Sequence, residues 1–215
     1  MRATIFATHE YYHCFNRGVD KRVIFQDAED YHYFLTALHL FNQTESRGDI
    51  AHYKQAERKT SSGTLRKPLV SILAYCLNPN HFHLLLHQEA NDGISKFMQK
   101  ISTGYTMYFN KKYERSGSLF QGKFKAVHVS NDVQLEHLFA YVTNNNRVHN
   151  ITDTKKFRNS FAEVTRQSPQ KICNLRLVDD VFGDRNIERM IDTGIKHTIT
   201  YRKMLERSEK SEFLE

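Results

Sequence analysis

Residues 69–87 read LVSILAYCLNPNHFHLLLH. The segment from Leu69 to Leu77 is almost entirely apolar, which predicts a strand that is buried on both faces. Asn78-Pro79-Asn80 predicts a turn, because asparagine and proline favour tight turns. His81–His87 then predicts a second strand that returns antiparallel to the first. This hairpin is the centre from which the rest of the fold can be predicted.

The segments on either side of the hairpin predict the remaining elements of an α+β fold. Residues 10–17 are rich in aromatic side chains and predict a strand, and a helix capped at Asp27 follows it. Beyond the hairpin, Asp92-Gly93 begins a second helix, residues 119–129 alternate as a strand, and Asn131-Asp132 caps a third helix. The order β-α-β-β-α-β predicts a ferredoxin-like split β-α-β with an antiparallel sheet, helices on one face, and the other face free for a site.

We expect the chain to have two parts. Residues 1–150 hold the predicted sheet and its helices, and the polar stretch 43–67 within them predicts an insertion or loop with a short helix near 49–59. Residues 151–215 are polar and charged and predict a small accessory C-terminal helical segment, with helices over 185–207.

Composition excludes several classes of protein. The chain has 215 residues, of which 12% are aromatic, and this is enough for one hydrophobic core plus an appendage. Its three cysteines lack CxxC spacing, so neither a disulfide framework nor a zinc knuckle is expected. No apolar run approaches the roughly 18 residues of a membrane span. We therefore expect a cytoplasmic protein with no membrane partner.

The positive charge is concentrated in one segment. The net charge is +7, and residues 96–125 contain seven Lys or Arg and a single acidic residue, with aromatic side chains between them. Basic groups attract phosphates and aromatic rings stack on unpaired bases, so this pattern favours a nucleic-acid partner. The alternative is a solvated face over a packed core. The side chains that we expect to contact phosphates are Arg17, Lys111, Lys112, Arg115, Lys123 and Lys125.

Two short motifs can carry chemistry. In His81-Phe82-His83 the two histidines are two apart on a strand, so both project from one face and form a natural pair of metal ligands. Tyr141 and Asn145 are four apart on the third predicted helix and lie on one face of it. Each motif alone is more often structural, the first as two ordinary histidines and the second as a packing tyrosine with a helix-terminal asparagine. Together, a phenol, two imidazoles and a carboxamide are the parts needed to break a phosphodiester covalently with the help of a metal, and the phosphotyrosine ester would conserve the energy for rejoining.

The chain also resembles a known family. It is similar to the single-tyrosine HUH transposases, which have an IS200-like transposase domain, and specifically to the branch of REP-associated tyrosine transposases. Four ordered segments within about residues 9–150 carry the resemblance: Tyr12–Gly18, Asn78–Leu86, Ser116–Lys125 and Tyr141–Val148. Residues 1–150 would then be the HUH-type domain.

The resemblance implies a function and roles for the site residues. Tyr141 would be the catalytic nucleophile, His81 and His83 the metal pair, and Asn145 the residue that completes the metal site. The metal would be Mg²⁺ or Mn²⁺, with no other cofactor. The enzyme would cleave and rejoin single-stranded DNA near hairpins through a covalent 5′-phosphotyrosine intermediate, as a monomer or homodimer.

Two other functions stay open at this stage. A protein with this fold could bind hairpins or single-stranded nucleic acid without catalysis. It could also be a nickase of the kind that initiates replication or conjugation. The complete set His81, His83, Tyr141 and Asn145 disfavours the first, and the short chain disfavours the second.

Overall fold

The computed structural model describes residues 5–44, 50 and 67–212, with side chains as far as residue 201. The insertion expected over 43–67, with its short helix near 49–59, therefore lies almost wholly outside the described residues. In the part of the chain that is described, no helix is long and apolar enough to cross a membrane.

Five strands form one antiparallel sheet in the order β4-β1-β3-β2-β5. The hairpin predicted from residues 69–87 forms β2 and β3, which pair in register from Ala74 opposite Leu85 to Asn78 opposite His81. The α+β prediction with a ferredoxin-like antiparallel sheet is confirmed, and one short strand is added at its edge. The strands are β1 (Tyr11–Arg17), β2 (Val70–Asn78), β3 (His81–Gln88), β4 (Lys125–His128) and β5 (Arg158–Asn159).

Helices cover both faces of the sheet. Asp27 begins the first of them as predicted, because its carboxylate accepts hydrogen bonds from the backbone N–H groups of Glu29 and Asp30. Asn131 caps the third long helix in the same way through the N–H of Gln134. The helices are α1 (Ala28–Leu40), α2 (Gly93–Lys112), α3 (Asp132–Thr143), α4 (Asn145–Val148), α5 (Phe161–Val164), α6 (Leu175–Phe182) and α7 (Ile187–Glu212), with 3-10 turns at Val19–Lys21 and Thr154–Lys156.

Alternation along β3 separates the core from the candidate site. Phe82, Leu84 and Leu86 are completely buried on one face, where α1 and α2 pack; the ring of Phe34 lies 5.1 Å from that of Phe82. His81 and the other odd-numbered residues of β3 project from the opposite face. The prediction that this second face stays free is wrong, because the apolar side of α3 and part of α6 pack against it.

The fourth strand is shorter than the sequence predicts. Of residues 119–129, only Lys125–His128 form β4. Phe120 instead makes an isolated bridge with Gly18 and turns its ring into the core, 5.7 Å from that of Phe82. Gly122 then reverses the chain with a φ of +71°, a conformation that glycine adopts without strain. Burial of one aromatic ring thus competes with strand pairing and wins.

The helix α7 packs closely on α3, the helix that bears Tyr141. Gly194 of α7 lies against Ala140 of α3, and a Cβ atom built at Gly194 would be only 2.6 Å from the Cβ of Ala140. Two residues before Gly194, Asp192 Oδ1 accepts a hydrogen bond from Arg147 Nη1 of the short helix α4 at 2.6 Å. The absence of a side chain at Gly194 therefore sets the distance between the two helices.

We expect Gly194→Ala to destabilise the protein, because the added methyl group forces α3 and α7 apart. Overpacking of this kind costs about 1–3 kcal/mol. In an Ala140→Gly background the same substitution has room, and it should stabilise α7 by about 1 kcal/mol through helix propensity. Urea unfolding of the four proteins in the double-mutant cycle measures both effects. An equal effect of Gly194→Ala in the two backgrounds would contradict this account of the packing.

Candidate active site

The two histidines of β3 lie side by side on the sheet face that α3 covers. Their ring centroids are 5.2 Å apart and the rings are nearly perpendicular. His83 is buried, whereas His81 at the start of the strand is partly exposed. The structure thus brings together the two side chains that strand alternation predicts to be neighbours.

Tyr141 lies on α3 beside His83, the buried member of this pair. Its ring centroid is 5.6 Å from that of His83, with the rings nearly perpendicular, and its side chain is partly exposed. Leu135, Phe139 and Val142 form the buried side of α3, so Tyr141 sits at the margin of the packed face, as the helical spacing predicts. A residue that is far away in sequence therefore contacts the histidine pair.

Asn145 reaches the same site by a different route from the one predicted. The helix α3 ends at Thr143, and Asn144 leaves the helical conformation with φ −125° and ψ 35° before α4 begins. Tyr141 and Asn145 are therefore not on one continuous helix. Asn145 Oδ1 lies 3.3 Å from His81 Nε2, while Tyr141 contacts His83. Asn145 therefore lies beside His81, and Tyr141 lies beside His83.

The short strand β5 holds this break in place. Asn159 Nδ2 donates to Asn144 Oδ1 at 3.0 Å and to Asn146 Oδ1 at 2.9 Å, so one amide group clamps both neighbours of Asn145. Asn145 is fully buried, yet its Nδ2 has no hydrogen-bond partner among the described residues. A buried unpaired donor costs about 1–3 kcal/mol, and such costs are typical of functional sites.

His13 belongs to the site, although the sequence analysis did not identify it. Its Nε2 lies 2.8 Å from His83 Nδ1, and its ring centroid is 5.8 Å from that of Tyr141. His13, Phe15 and Arg17 alternate along β1 and face the same side as His81. Alternation within residues 10–17 could have grouped them, but the pairing of β1 with β3 is not encoded locally.

The contacts of His81 indicate where its proton lies. Asn80 Oδ1 is 2.6 Å from His81 Nδ1, and an amide oxygen can only accept, so Nδ1 carries the hydrogen and Nε2 has the lone pair. This lone pair faces Asn145 Oδ1, another acceptor, across 3.3 Å. Two acceptors this close need a positively charged or hydrogen-bearing group between them.

Burial keeps the histidines neutral. It lowers the pKa of His13 to about 4, and it lowers the pKa of His81 to about 4 together with the nearby His149 and Arg17. Burial, with His13 next to it, holds the pKa of His83 well below its usual value. At neutral pH all three rings therefore keep a lone pair, and a neutral imidazole is the form that binds metals.

These residues fit a divalent cation of borderline character. His81 donates its Nδ1 hydrogen to Asn80, and the Nδ1 of His83 is occupied by His13, so Nε2 is the atom of each imidazole that could bind a metal. Imidazole nitrogens with an amide oxygen suit Mn²⁺ better than a strictly oxygen-preferring ion. Among the described residues there is no group of three or more His, Cys, Asp or Glu that could hold a metal, so a metal at His81 and His83 would need ligands of another kind.

Two of the six basic residues predicted to contact phosphates lie on the site face, and a third, Lys123, precedes one of them by two residues in the chain. Arg17 pairs in register with His81, and Lys125 pairs with Phe15, so both project from that face. Both are exposed, as is Lys123. The guanidinium of Arg17 donates to Gln121 and remains at the surface.

The other three basic residues lie elsewhere. Lys111 is exposed in the last turn of α2, in the helical layer on the far side of the sheet. Arg115 is held by the side chain of Asn110 and the carbonyl of Ser118. Lys112 is committed to carboxylates: its Nζ lies 2.8 Å from Asp27, 3.0 Å from Glu29 and 2.9 Å from the fully buried Asp30. Lys112 thus already has carboxylate partners, of which only Asp30 is buried, and its contact with a phosphate stays a prediction.

Comparison with known proteins assigns the family. The sequence profile described as "Transposase IS200 like" matches residues 32–145, more than half of the chain, from α1 to Asn145. The chain belongs to the IS200-like transposase family. The transposase profile spans His81, His83 and Tyr141 as well as Asn145, whereas Arg17 and His13 precede it.

A solved structure shares the transposase fold. It is a REP-associated tyrosine transposase bound to a REP hairpin, with a TM-score of 0.54 and 14% sequence identity. The match covers 80% of this chain and 88% of the other. No curated protein matches the chain significantly.

Lys112→Met should lower the free energy of unfolding by about 3 kcal/mol, because it leaves the buried Asp30 without its counter-charge. Lys111→Met is the matched control, since it removes an exposed lysine from the same turn, and it should change stability by less than about 0.5 kcal/mol. Urea unfolding of both variants provides the measurement. Equal stability of the two would contradict the structural role of Lys112.

Acid should destabilise the transposase through its buried histidines. The pKa of His13 is about 4 in the folded protein and near 6.5 in the unfolded chain, so below pH 6.5 the unfolded chain binds the extra proton. Stability should therefore fall from pH 6.5 toward pH 4, by up to about 1.4 kcal/mol per pH unit for each such histidine. Urea unfolding in EDTA should show a shallower pH dependence for His13→Gln than for the wild type; parallel profiles would refute this assignment.

Proposed function

We propose that this transposase cleaves and rejoins single-stranded DNA near hairpins through a covalent 5′-phosphotyrosine intermediate on Tyr141. A divalent metal, Mg²⁺ or Mn²⁺, would be held by His81, His83 and Asn145. The single observation that supports this most is the contact between the Tyr141 ring and His83, at 5.6 Å between centroids. A nucleophile and a candidate metal ligand are thus close enough to act on one phosphate.

Tyr141 would perform the covalent step. Its Oη forms a bond to the phosphorus, and the bond from phosphorus to the 3′ oxygen of the preceding nucleotide breaks. The phenol loses its proton, and the leaving 3′ oxygen takes one up to become a hydroxyl. Attack by a 3′ hydroxyl on the phosphotyrosine reverses these changes and joins a strand without ATP, because the ester conserves the energy of the bond.

The histidines and Asn145 would hold the metal through their lone pairs. Bound there, a divalent cation supplies Lewis-acid polarisation of the scissile phosphate and neutralises charge that develops on it. His13 and Asn80 orient the two imidazoles through their Nδ1 atoms. The low pKa values of His13 and His81, about 4, keep these rings neutral at the pH of the reaction.

The DNA would lie across the exposed part of the site face. Arg17 and Lys125 supply positive charge there, with Lys123 exposed two residues before Lys125, and electrostatic contacts of this kind bind the phosphate backbone without sequence preference. The similarity in fold to a REP-associated tyrosine transposase bound to a hairpin supports a hairpin substrate and membership of that branch. Tyr141 and the three proposed ligands converge within one chain, so a monomer can supply the whole site, although a homodimer is also compatible with it.

A covalent-trapping assay tests the proposal. The protein is mixed with a labelled library of single-stranded hairpin DNA and Mn²⁺, then denatured and examined for a labelled protein band. The wild type should give this adduct, and Tyr141→Phe should give none, because it lacks only the nucleophilic oxygen. His81→Ala should lower the yield of adduct strongly while retaining most DNA binding, since that residue would polarise the phosphate rather than anchor the strand.

The controls separate this proposal from its alternatives. DNA binding without any adduct in the wild type would favour a non-catalytic hairpin-binding protein. Adduct formation without rejoining to a second strand would favour a nickase. An adduct that persists in Tyr141→Phe would show that another residue is the nucleophile.

A further inference from the structure

Asn78 lies at the centre of the site, and its side chain is completely buried. Its Nδ2 is 2.9 Å from His81 Nε2 and 2.8 Å from Asn145 Oδ1. Both of those atoms are acceptors, because the Nδ1 of His81 donates to Asn80 and Asn145 presents its oxygen. The two N–H groups of Asn78 therefore bridge the two atoms proposed to bind the metal.

This arrangement and metal binding exclude each other. An imidazole nitrogen has a single lone pair, and the one on His81 Nε2 is used by the N–H of Asn78. The same lone pair would have to bind the cation. In addition, the N–H hydrogens of Asn78 carry partial positive charge and would face it. Metal binding at His81 therefore requires the Asn78 amide to change its orientation.

A half-turn of the amide about χ2 is sufficient. The oxygen and nitrogen of a carboxamide are nearly the same size, so the turn exchanges them in place. Before the turn, the hydrogen-bond partner of Asn78 Oδ1 among the described residues is the thiol of Cys76, a weak donor 3.6 Å away. After the turn the NH₂ group would face the same sulfur, which is a weak acceptor, so little is lost on that side of the amide. The bonds to His81 and Asn145 would be lost, and contacts with the cation would replace them.

The backbone at this position is fixed, so the side chain alone has to move. The backbone N–H groups of Ile24 and Phe25 both donate to the carbonyl of Pro79, at 2.7 and 3.0 Å. Asn80 Nδ2 donates to the carbonyl of Lys21 at 3.2 Å. These bonds anchor the turn that connects Asn78 to His81.

We propose that Asn78 is a further metal ligand. A half-turn of its amide would release His81 and Asn145 and direct its oxygen at the cation. This rests on the proposed function, which places the cation at His81, His83 and Asn145. The set of protein donors then comprises two imidazoles and two amide oxygens. A second oxygen shifts the site toward Mn²⁺ and Mg²⁺ and away from Zn²⁺, which prefers nitrogen and sulfur.

Direct Mn²⁺ binding tests the inference without relying on activity. MnCl₂ is titrated into metal-free protein up to millimolar concentrations, and the EPR signal of the free aqua ion reports what remains unbound. Asn78→Leu keeps the size of the side chain but has no oxygen, so it should weaken Mn²⁺ binding by about tenfold or more. Asn78→Asp offers an acceptor in either orientation and a negative charge, so it should bind Mn²⁺ at least about tenfold more tightly than the wild type.

Matched controls address folding and the proposed metal site separately. Asn16→Leu removes another buried asparagine, one on the opposite face of the sheet, and should leave Mn²⁺ binding unchanged. Thermal unfolding in EDTA checks that each variant is folded. If Asn78→Leu does not fold, Asn78→Asp alone tests the inference. His81→Gln should abolish Mn²⁺ binding in every background.

The outcomes distinguish the two levels of the proposal. If Asn78→Leu binds Mn²⁺ as tightly as the wild type or more tightly, while His81→Gln binds none, Asn78 only blocks the site and the inference is overturned alone. If the folded wild type binds no Mn²⁺ at millimolar concentration, or if His81→Gln binds it equally well, the metal site of the proposed function fails and the inference fails with it. Weaker binding by Asn78→Leu together with tighter binding by Asn78→Asp establishes Asn78 as a ligand.

Discussion

The candidate site depends on the pairing of β1 with β3 at the centre of the sheet. This pairing sets Arg17 opposite His81 and Phe15 opposite His83, and it brings His13 within 2.8 Å of His83. A register shift of one residue would turn every side chain of β1 to the other face. The apolar residues that alternate with them along the strands point into the core. The imidazoles of His13, His81 and His83 and the guanidinium of Arg17 therefore share the opposite face of the sheet.

Desolvation gives this surface its chemical character. Packing of α3 against the sheet buries His13 and His83 and favours their neutral forms, as their lowered pKa values show. Each neutral ring can be oriented by one hydrogen bond through its Nδ1: His81 donates to Asn80 Oδ1, and His83 bonds to His13 Nε2. The same helix carries Tyr141, so one packing event both prepares the imidazoles and places the phenol beside them.

Segments beyond residue 150 shape the site from outside. Asn159 of β5 clamps the residues on either side of Asn145, and α7 supports α3 through the contact between Gly194 and Ala140. The interruption of the helix at Asn144 thus has a tertiary cause, because the side chain of Asn144 is hydrogen-bonded to Asn159 of β5. The clamp keeps Asn145 Oδ1 directed at His81 even though its own Nδ2 is left without a partner among the described residues.

Local patterns in the sequence determined the helices and strands and the placement of two histidines on one face. Strand alternation and helix capping act between residues that are close in the chain. The helix caps at Asp27 and Asn131 and the shared face of His81 and His83 could therefore be predicted without tertiary structure. Distant packing decided the rest. His13 joins the site through strand pairing, the ammonium of Lys112 is taken up by the carboxylates of α1 and its N-cap, and Phe120 leaves its strand for the core. Such outcomes depend on which residues meet after folding, and no local pattern contains that information.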